Sequence, residues 1–384
     1  MRRLTPIKIV VVCSNDGEGW KSCLSAEKDL QRLYKLAFPK QVHFIYLGNP
    51  RLFDSIESGS KYIYSIALKI YRLAPTHIVF LSHRIHSAPI LQALDHLQFN
   101  RASFLFHIFG NWQIRLRRWR RTQEYFRGRR ALFLTNSTAF QKMVSASMNS
   151  GQRRVKTAPL SIDSARFRFS ASARAKVRRQ MKISEKETVV LFAGRLIREK
   201  GLPLFIKSIQ QLSDQKQHLF RVIVCGGFEE NEADEMKRLL LQASRKMGSQ
   251  FRFLGELRVA QLAKLYSAAD VFVSPSLYDF ESFGFGPAEA LTSGLTCVLT
   301  DWLGYSDFSR IPGLVHWLPA NERKCQEALT RTLAQLFRTR AFQSPRGRFR
   351  LYNNARIYSH SAQIERLQKL FHQPNWPVFH GFKS

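Results

Sequence analysis

The stretch VFVSPSLYDFESFGFGPAEAL, residues 271–291, decides the fold. It opens on the β-rich apolar run Val271 to Ser274, passes through Gly284 and Gly286, and ends in a helix-forming Ala-Glu-Ala-Leu. Strand, glycine turn and helix start in that order form the unit of a parallel α/β sheet. Ligands of such sheets bind at the carboxyl ends of the strands. The free N–H groups of the helix that follows favour an anion there. Glu281 is predicted in the loop, and Glu289 in the first helical turns at the same mouth. The pair reads in two ways. Both carboxylates hold ligand hydroxyls, or an acidic residue merely sits well near a helix start. The spacing alone does not choose between them; the order of the surrounding segments does.

The same alternation runs through the chain. In the first half, strands are predicted at 7–13, 42–47, 77–81, 104–109, 131–135 and 156–162, with helices at 21–36 and 62–73 between them. A second series starts near Thr188 and continues through Leu318. Within it, Val189-Val-Leu-Phe-Ala-Gly-Arg-Leu leads to Lys200-Gly201, and Val224-Cys leads to Gly226-Gly227. Residues 355–372 have helical periodicity, and the last eleven residues show no regular pattern. At 384 residues the chain is long enough for two domains with proper cores.

Taken together, these segments resemble the retaining glycosyltransferases of family four, the group 1 glycosyl transferase type. The family has a strand ending in Gly-Arg-Leu and then a Lys-Gly pair that opens a helix; here these are Gly194, Arg195, Leu196, Lys200 and Gly201. It also has Pro-Ser followed by Glu-x-Phe-Gly-x4-Glu-Ala, here Pro275, Ser276, Glu281, Phe283, Gly284, Glu289 and Ala290. Phe251 to Gly255 and Leu262 to Asp270 match the strand and helix between. The resemblance covers roughly residues 155–320 and is much weaker before 150. After the second Glu, this chain has Gly294-Leu-Thr-Cys-Val298 where the family often has a proline. The resemblance implies the GT-B fold: two Rossmann-like doubly wound α/β domains facing across a cleft. These are an acceptor domain at 1–164, completed by a crossover at 355–384, and a donor domain at 165–354.

The chemistry implied is transfer of a hexose-type sugar from a nucleotide-diphosphate sugar, with retention. The diphosphate leaving group gains negative charge, and fixed cations answer it. No Asp-x-Asp occurs in the chain, so no metal and no other cofactor is expected. Arg195 and Lys200 are the cations, one bidentate and one a point charge. Glu289 is expected on the ribose and Glu281 on the donor sugar. Gly194 and the backbone of Ser282, Phe283, Gly284 and Phe285 line the donor, glycine permitting close approach. In the first domain, His107 either faces the sugar or is a satisfied core histidine. Gly17 and Gly19 either approach the acceptor or phosphates, or form a plain turn after the first strand.

Composition bounds the partners. Five cysteines are scattered without zinc spacing and read as reduced, core-packed thiols. No apolar run approaches the ~20 residues of a membrane helix, and the N-terminal run is too short and too charged for a signal sequence. A cytoplasmic location is expected. The net charge of +32 points to nucleic acid or to an anionic membrane surface. The segment 115–130 holds eight Arg and one Glu, with Trp112, Leu116, Trp119 and Phe126 on one helical face. Arg115, Arg117, Arg118, Trp119, Arg120 and Arg121 would dock on the inner membrane face. The alternative is a helix packed on its own sheet with solvated arginines outside. A second basic patch is expected from the arginines at 338, 340, 346, 348, 350 and 356. The acceptor class is then a lipid-linked or cell-surface glycan. The rival function is nucleic-acid binding on a GT-B-like scaffold, which the charge permits but no nucleic-acid module supports.

Overall fold

Near-continuous apolar runs are what strands buried on both faces require, and they form the strands of two parallel sheets. The computed structural model describes residues 6–14, 21–47, 56–81, 87–109, 116, 119–120, 123–148, 154–215, 218–279, 281–340, 342, 344–373 and 376–382. The chain divides into two compact units. One is residues 1–161 with 361–384, the other 162–360.

The first unit holds β1 (Ile9–Ser14), β2 (Val42–Leu47), β3 (His77–Phe80), β4 (Ser103–Ile108), β5 (Ala131–Thr135) and β6 (Val155–Thr157). All pairings are parallel, in the order β2-β1-β3-β4-β5-β6. The last strand is shorter than the expected 156–162, because Pro159 has no N–H for a ladder. Side chains alternate across β4. Phe104, Phe106 and Ile108 enter a core with Ile66, Ile70 and Leu94. His107 points to the other face, where it meets Tyr34 of the Lys21–Ala37 helix.

The end of the chain corrects two expectations. The periodicity of 355–372 is not one helix. Pro345–Ala355 is followed by a tight turn, Arg356–Tyr358, before His360–Phe371 begins. The break is set by Ile162, whose N–H bonds the carbonyl of Tyr358 at 2.7 Å while Ser359 is extended. The His360–Phe371 helix packs on the first unit, with Phe371 5.0 Å from Phe38 and 6.0 Å from Tyr34 between ring centres. The final residues, expected to be irregular, are tied down. Val378 bridges to Arg130 and Phe382 to Met148, and Phe379 and Phe382 are buried against Phe126 and Phe133.

Trp119 is also corrected. It is 6% exposed and packs on Phe106, Phe133 and Phe382, so it is a core residue and no membrane anchor. Phe126 is fully buried beside it. Buried on these rings, Trp119 takes the packed alternative at this position. Arg120 is partly buried; Arg115, Arg117, Arg118 and Arg121 lie outside the described residues. Arg348 leaves the second patch as well. It stacks over Phe169 at 4.6 Å and lies 3.6 Å from the buried Asp270, which Arg174 and Arg178 also engage.

The second unit holds β7 (Thr188–Ala193), β8 (Phe220–Cys225), β9 (Phe251–Phe253), β10 (Val271–Ser274), β11 (Thr296–Thr300) and β12 (Val315–Leu318). The order is β12-β11-β10-β7-β8-β9, again all parallel. The chain winds outward from β7 through β8 to β9, then returns to β10 on the other side of β7. The switch point of the sheet is therefore between β7 and β10, the place where doubly wound sheets bind ligands. Among the described residues no helix is long and apolar enough to cross a membrane.

Candidate donor site

The two loops that leave β7 and β10 meet at this switch point. From β7 the chain passes Gly194 and Arg195 into the tight turn Arg198–Lys200 and the Leu202–Asp214 helix. Gly201 caps that helix at φ 78°, and a Cβ there would lie 2.2 Å from the carbonyl oxygen of Pro275. Only glycine permits both the left-handed turn and this approach. The carbonyl of Glu199 accepts from the N–H of Leu277 at 2.8 Å. The Lys200 turn is thereby fixed against the loop after β10.

That loop carries the first carboxylate. Glu281 is 6% exposed. Ser276 Oγ donates to its Oε2 at 3.1 Å, and Lys200 Nζ forms an ion pair with the same oxygen. The N–H of Gly304 donates to the Glu281 carbonyl at 2.8 Å. Arg195 forms an ion pair with Glu229 and lies 4.7 Å from the ring centre of Tyr278. Lys200 Nζ is 5.4 Å from the same ring. One aromatic ring thus positions both cations, and each cation is balanced by a carboxylate.

Gly284 has φ 97° and caps the Phe285–Thr292 helix. The first turn of a helix leaves its N–H groups without intrahelical partners. Here these belong to Phe285 and Gly286, since Pro287 has none. Ser282 is partly exposed, while Phe283 is buried among Phe285, Phe308 and Tyr358, so its backbone and not its ring is available. Glu289 lies in the second turn of this helix and interacts with Tyr266, which is fully buried. Burial pushes the Glu289 carboxyl up to about 8, against a partial lowering by the Tyr266 hydrogen bond. The two carboxylates are thus set apart: one paired with a lysine, the other part-exposed at the surface and raised by desolvation of its carboxyl against Tyr266.

This has a consequence for stability. An unfolded Glu titrates near 4.5. Between that pH and about 8 the unfolded chain releases a proton that the folded chain keeps, so stability falls as pH rises through this window. Glu289→Gln is expected to remove that fall, a difference of about 4 kcal/mol between pH 4.5 and pH 8. Melting temperatures of both proteins at pH 5 and pH 8 check it. Parallel pH profiles would refute the assignment.

His107 is in the first unit, 5% exposed, with Nε2 2.9 Å from the Tyr34 hydroxyl. Burial pushes it down to about 3, so it is neutral. It lines a cavity described below. Gly17 and Gly19 lie outside the described residues. The structure therefore gathers Gly194, Arg195, Lys200, Glu281, Ser282, Phe283, Gly284, Phe285 and Glu289 in the second unit. It adds residues that the sequence reading passed over: Tyr278, Glu229, Tyr266 and Gly304. Tyr278 and Glu229 each follow a strand end within a quoted segment or directly after it, and that position was the available signal. Tyr266 and Gly304 carried none.

Residues 173–310 match the family described as Glycosyl transferases group 1. The matched residues lie within the second unit. The match covers the loops after β7 and β10 and the strands between them. Among similar proteins, the chain is 28% identical over 134 residues to the lipopolysaccharide 1,2-N-acetylglucosaminetransferase of Salmonella typhimurium, 34% of this chain and 35% of that protein. It is 35% identical over 133 residues to the D-inositol 3-phosphate glycosyltransferase of Corynebacterium jeikeium, 34% of this chain and 31% of that one. An uncharacterized glycosyltransferase of Methanocaldococcus jannaschii is 28% identical over 171 residues, 44% of this chain and 41% of that protein. The chain thus spans about a third to two-fifths of the length of these relatives. The crystal structure of Anabaena HepE in complex with UDP is similar at TM-score 0.74 and 16% identity, over 95% of this chain and 99% of that one. The fold is GT-B, two doubly wound parallel α/β units.

Proposed function

We propose that this protein is a retaining group 1 glycosyltransferase. It moves a hexose-type sugar from a nucleotide-diphosphate sugar to a lipid-linked or cell-surface glycan, without a metal ion. The observation that carries this reading is the meeting of Arg195, Lys200 and Glu281 around Tyr278 at the switch point of one sheet, with Glu289 on the helix that follows. Two cations beside free helix N–H groups suit a diphosphate. Each cation is held by a carboxylate, Arg195 by Glu229 and Lys200 by Glu281. Donor binding exchanges those partners for phosphate oxygens and frees Glu281 for the sugar hydroxyls. As the glycosidic bond breaks, the cations neutralise the charge gathering on the diphosphate. The acceptor attacks from the face the leaving group departs, and a leaving phosphate oxygen takes its proton. Solved relatives in complex with UDP, and with UDP-glucose, make a uridine donor the first to test.

Thermal-shift titration with UDP, GDP, ADP and CMP, with and without EDTA, tests the reading. A ligand that binds only the folded state raises the melting temperature with its concentration. The expected result is a selective shift by one diphosphate that survives EDTA and vanishes in Arg195→Ala. No shift by any nucleotide, with a clear shift by nucleic acid, would overturn the reading in favour of nucleic-acid binding.

A further inference from the structure

The first unit contains a cavity of about 310 Å³ that the donor chemistry does not use. Its floor is made where three adjacent parallel strands end. His107 stands next to last in β4, Leu134 next to last in β5, and Lys156 to Pro159 close and follow β6. The walls come from two helices, Leu30 and Leu33 of Lys21–Ala37 and Leu367 and Leu370 of His360–Phe371. The lining is therefore apolar, with two buried polar side chains, His107 and Gln363, set among the leucines. Lys156, Arg366 and Lys369 stand at its edge, Lys369 paired with Glu365. Lys156 is exposed.

We propose that this cavity binds an anionic amphiphile, a single alkyl chain carrying one phosphate or carboxylate head. Ligand sites are concave, mostly apolar, and oriented by a few placed polar groups, and this volume is at the small end of their range. It holds one chain and has no room for a folded partner. An alkyl chain lies against Leu30, Leu33, Leu134 and Leu367. The head group meets the exposed Lys156 at the mouth, beside the basic Arg366 and Lys369 of the lining. His107 is neutral, so it offers the chain a ring face without a buried charge to desolvate. The carboxyl ends of the strands are where a doubly wound sheet leaves room between its covering helices. The inference stands on the first unit alone and does not rest on the donor-site reading.

Isothermal titration of the full chain with dodecyl phosphate, below its micelle concentration, tests this. Dodecyl maltoside, dodecanoate and inorganic phosphate are run beside it. Saturable binding of one dodecyl phosphate is expected, at least tenfold tighter than dodecyl maltoside, with no binding of inorganic phosphate. Dodecanoate distinguishes a phosphate-specific mouth from a general anionic one. Ala158→Trp and Leu370→Trp fill the cavity from opposite walls, and each is expected to abolish binding. Lys156→Glu, on the surface, is expected to weaken it at least tenfold. A melting temperature near wild type shows that each variant is folded, and either filler alone suffices. Equal affinity for the neutral detergent, binding that persists in a folded filler variant, or no saturable binding would each overturn the proposal. A retained thermal shift by the donor nucleotide separates any such failure from failure of the donor site.

Discussion

Replacing Lys200 by alanine is expected to lower sugar transfer by about 10²–10³-fold, the usual effect of removing one preorganised group that meets developing negative charge. It should also destabilise the protein. Lys200 is the ion-pair partner of Glu281, and the side chains are 16% and 7% exposed. Removing one member of a largely buried pair leaves an uncompensated charge, at a cost of about 3 kcal/mol. The two effects separate in a double variant. Lys200→Met with Glu281→Gln removes both charges, so stability should recover most of the loss while transfer stays down. Turnover and melting temperature of the single and double variants decide it. Transfer within threefold of wild type in Lys200→Ala would refute the role assigned to this cation. A fully active double variant would do the same for the pair.

The second large effect concerns the backbone. In Gly201→Ala a Cβ would lie 2.2 Å from the Pro275 carbonyl oxygen, at a φ of 78°. The turn carrying Lys200 and the loop carrying Glu281 must then separate. A left-handed, sterically blocked position makes this a strain mutation, and such changes reach about 3 kcal/mol or more. For a unit of this size that is a fall of roughly 6–12 °C in melting temperature. Donor affinity should fall with it, since the fixed distance between the two loops is what brings cation and carboxylate together. A nucleotide titration of the folded variant measures that loss. An unchanged melting temperature and affinity would show that the loops are not held by this contact.

Much of the second unit was legible because its signals are local. Val189 to Gly201 and Val271 to Leu291 each carry strand, turn and helix start in consecutive residues, so pattern and turn chemistry agree. Trp119 stays open between two readings for the opposite reason. Its helical spacing with Leu116 and Phe126 is the same whether that face meets lipid or its own sheet, and only the partners across the interface, Phe106, Phe133 and Phe382, distinguish them. The tail failed similarly. Residues 376–382 look irregular because their order comes from Arg129, Arg130 and Met148, some 230 to 250 positions earlier.

By itself the sequence determined that the chain alternates strand and helix twice over, that it matches group 1 glycosyltransferase motifs, and that Arg195, Lys200, Glu281 and Glu289 leave strand ends. Strand order is a long-range property, and no local pattern records it. Only the tertiary structure put β10 beside β7, and so made two loops some 80 residues apart into one site. It also gave the two carboxylates different surroundings. Lys200 meets Glu281, while Glu289 meets Tyr266, because burial and pairing depend on neighbours that the chain brings together in folding.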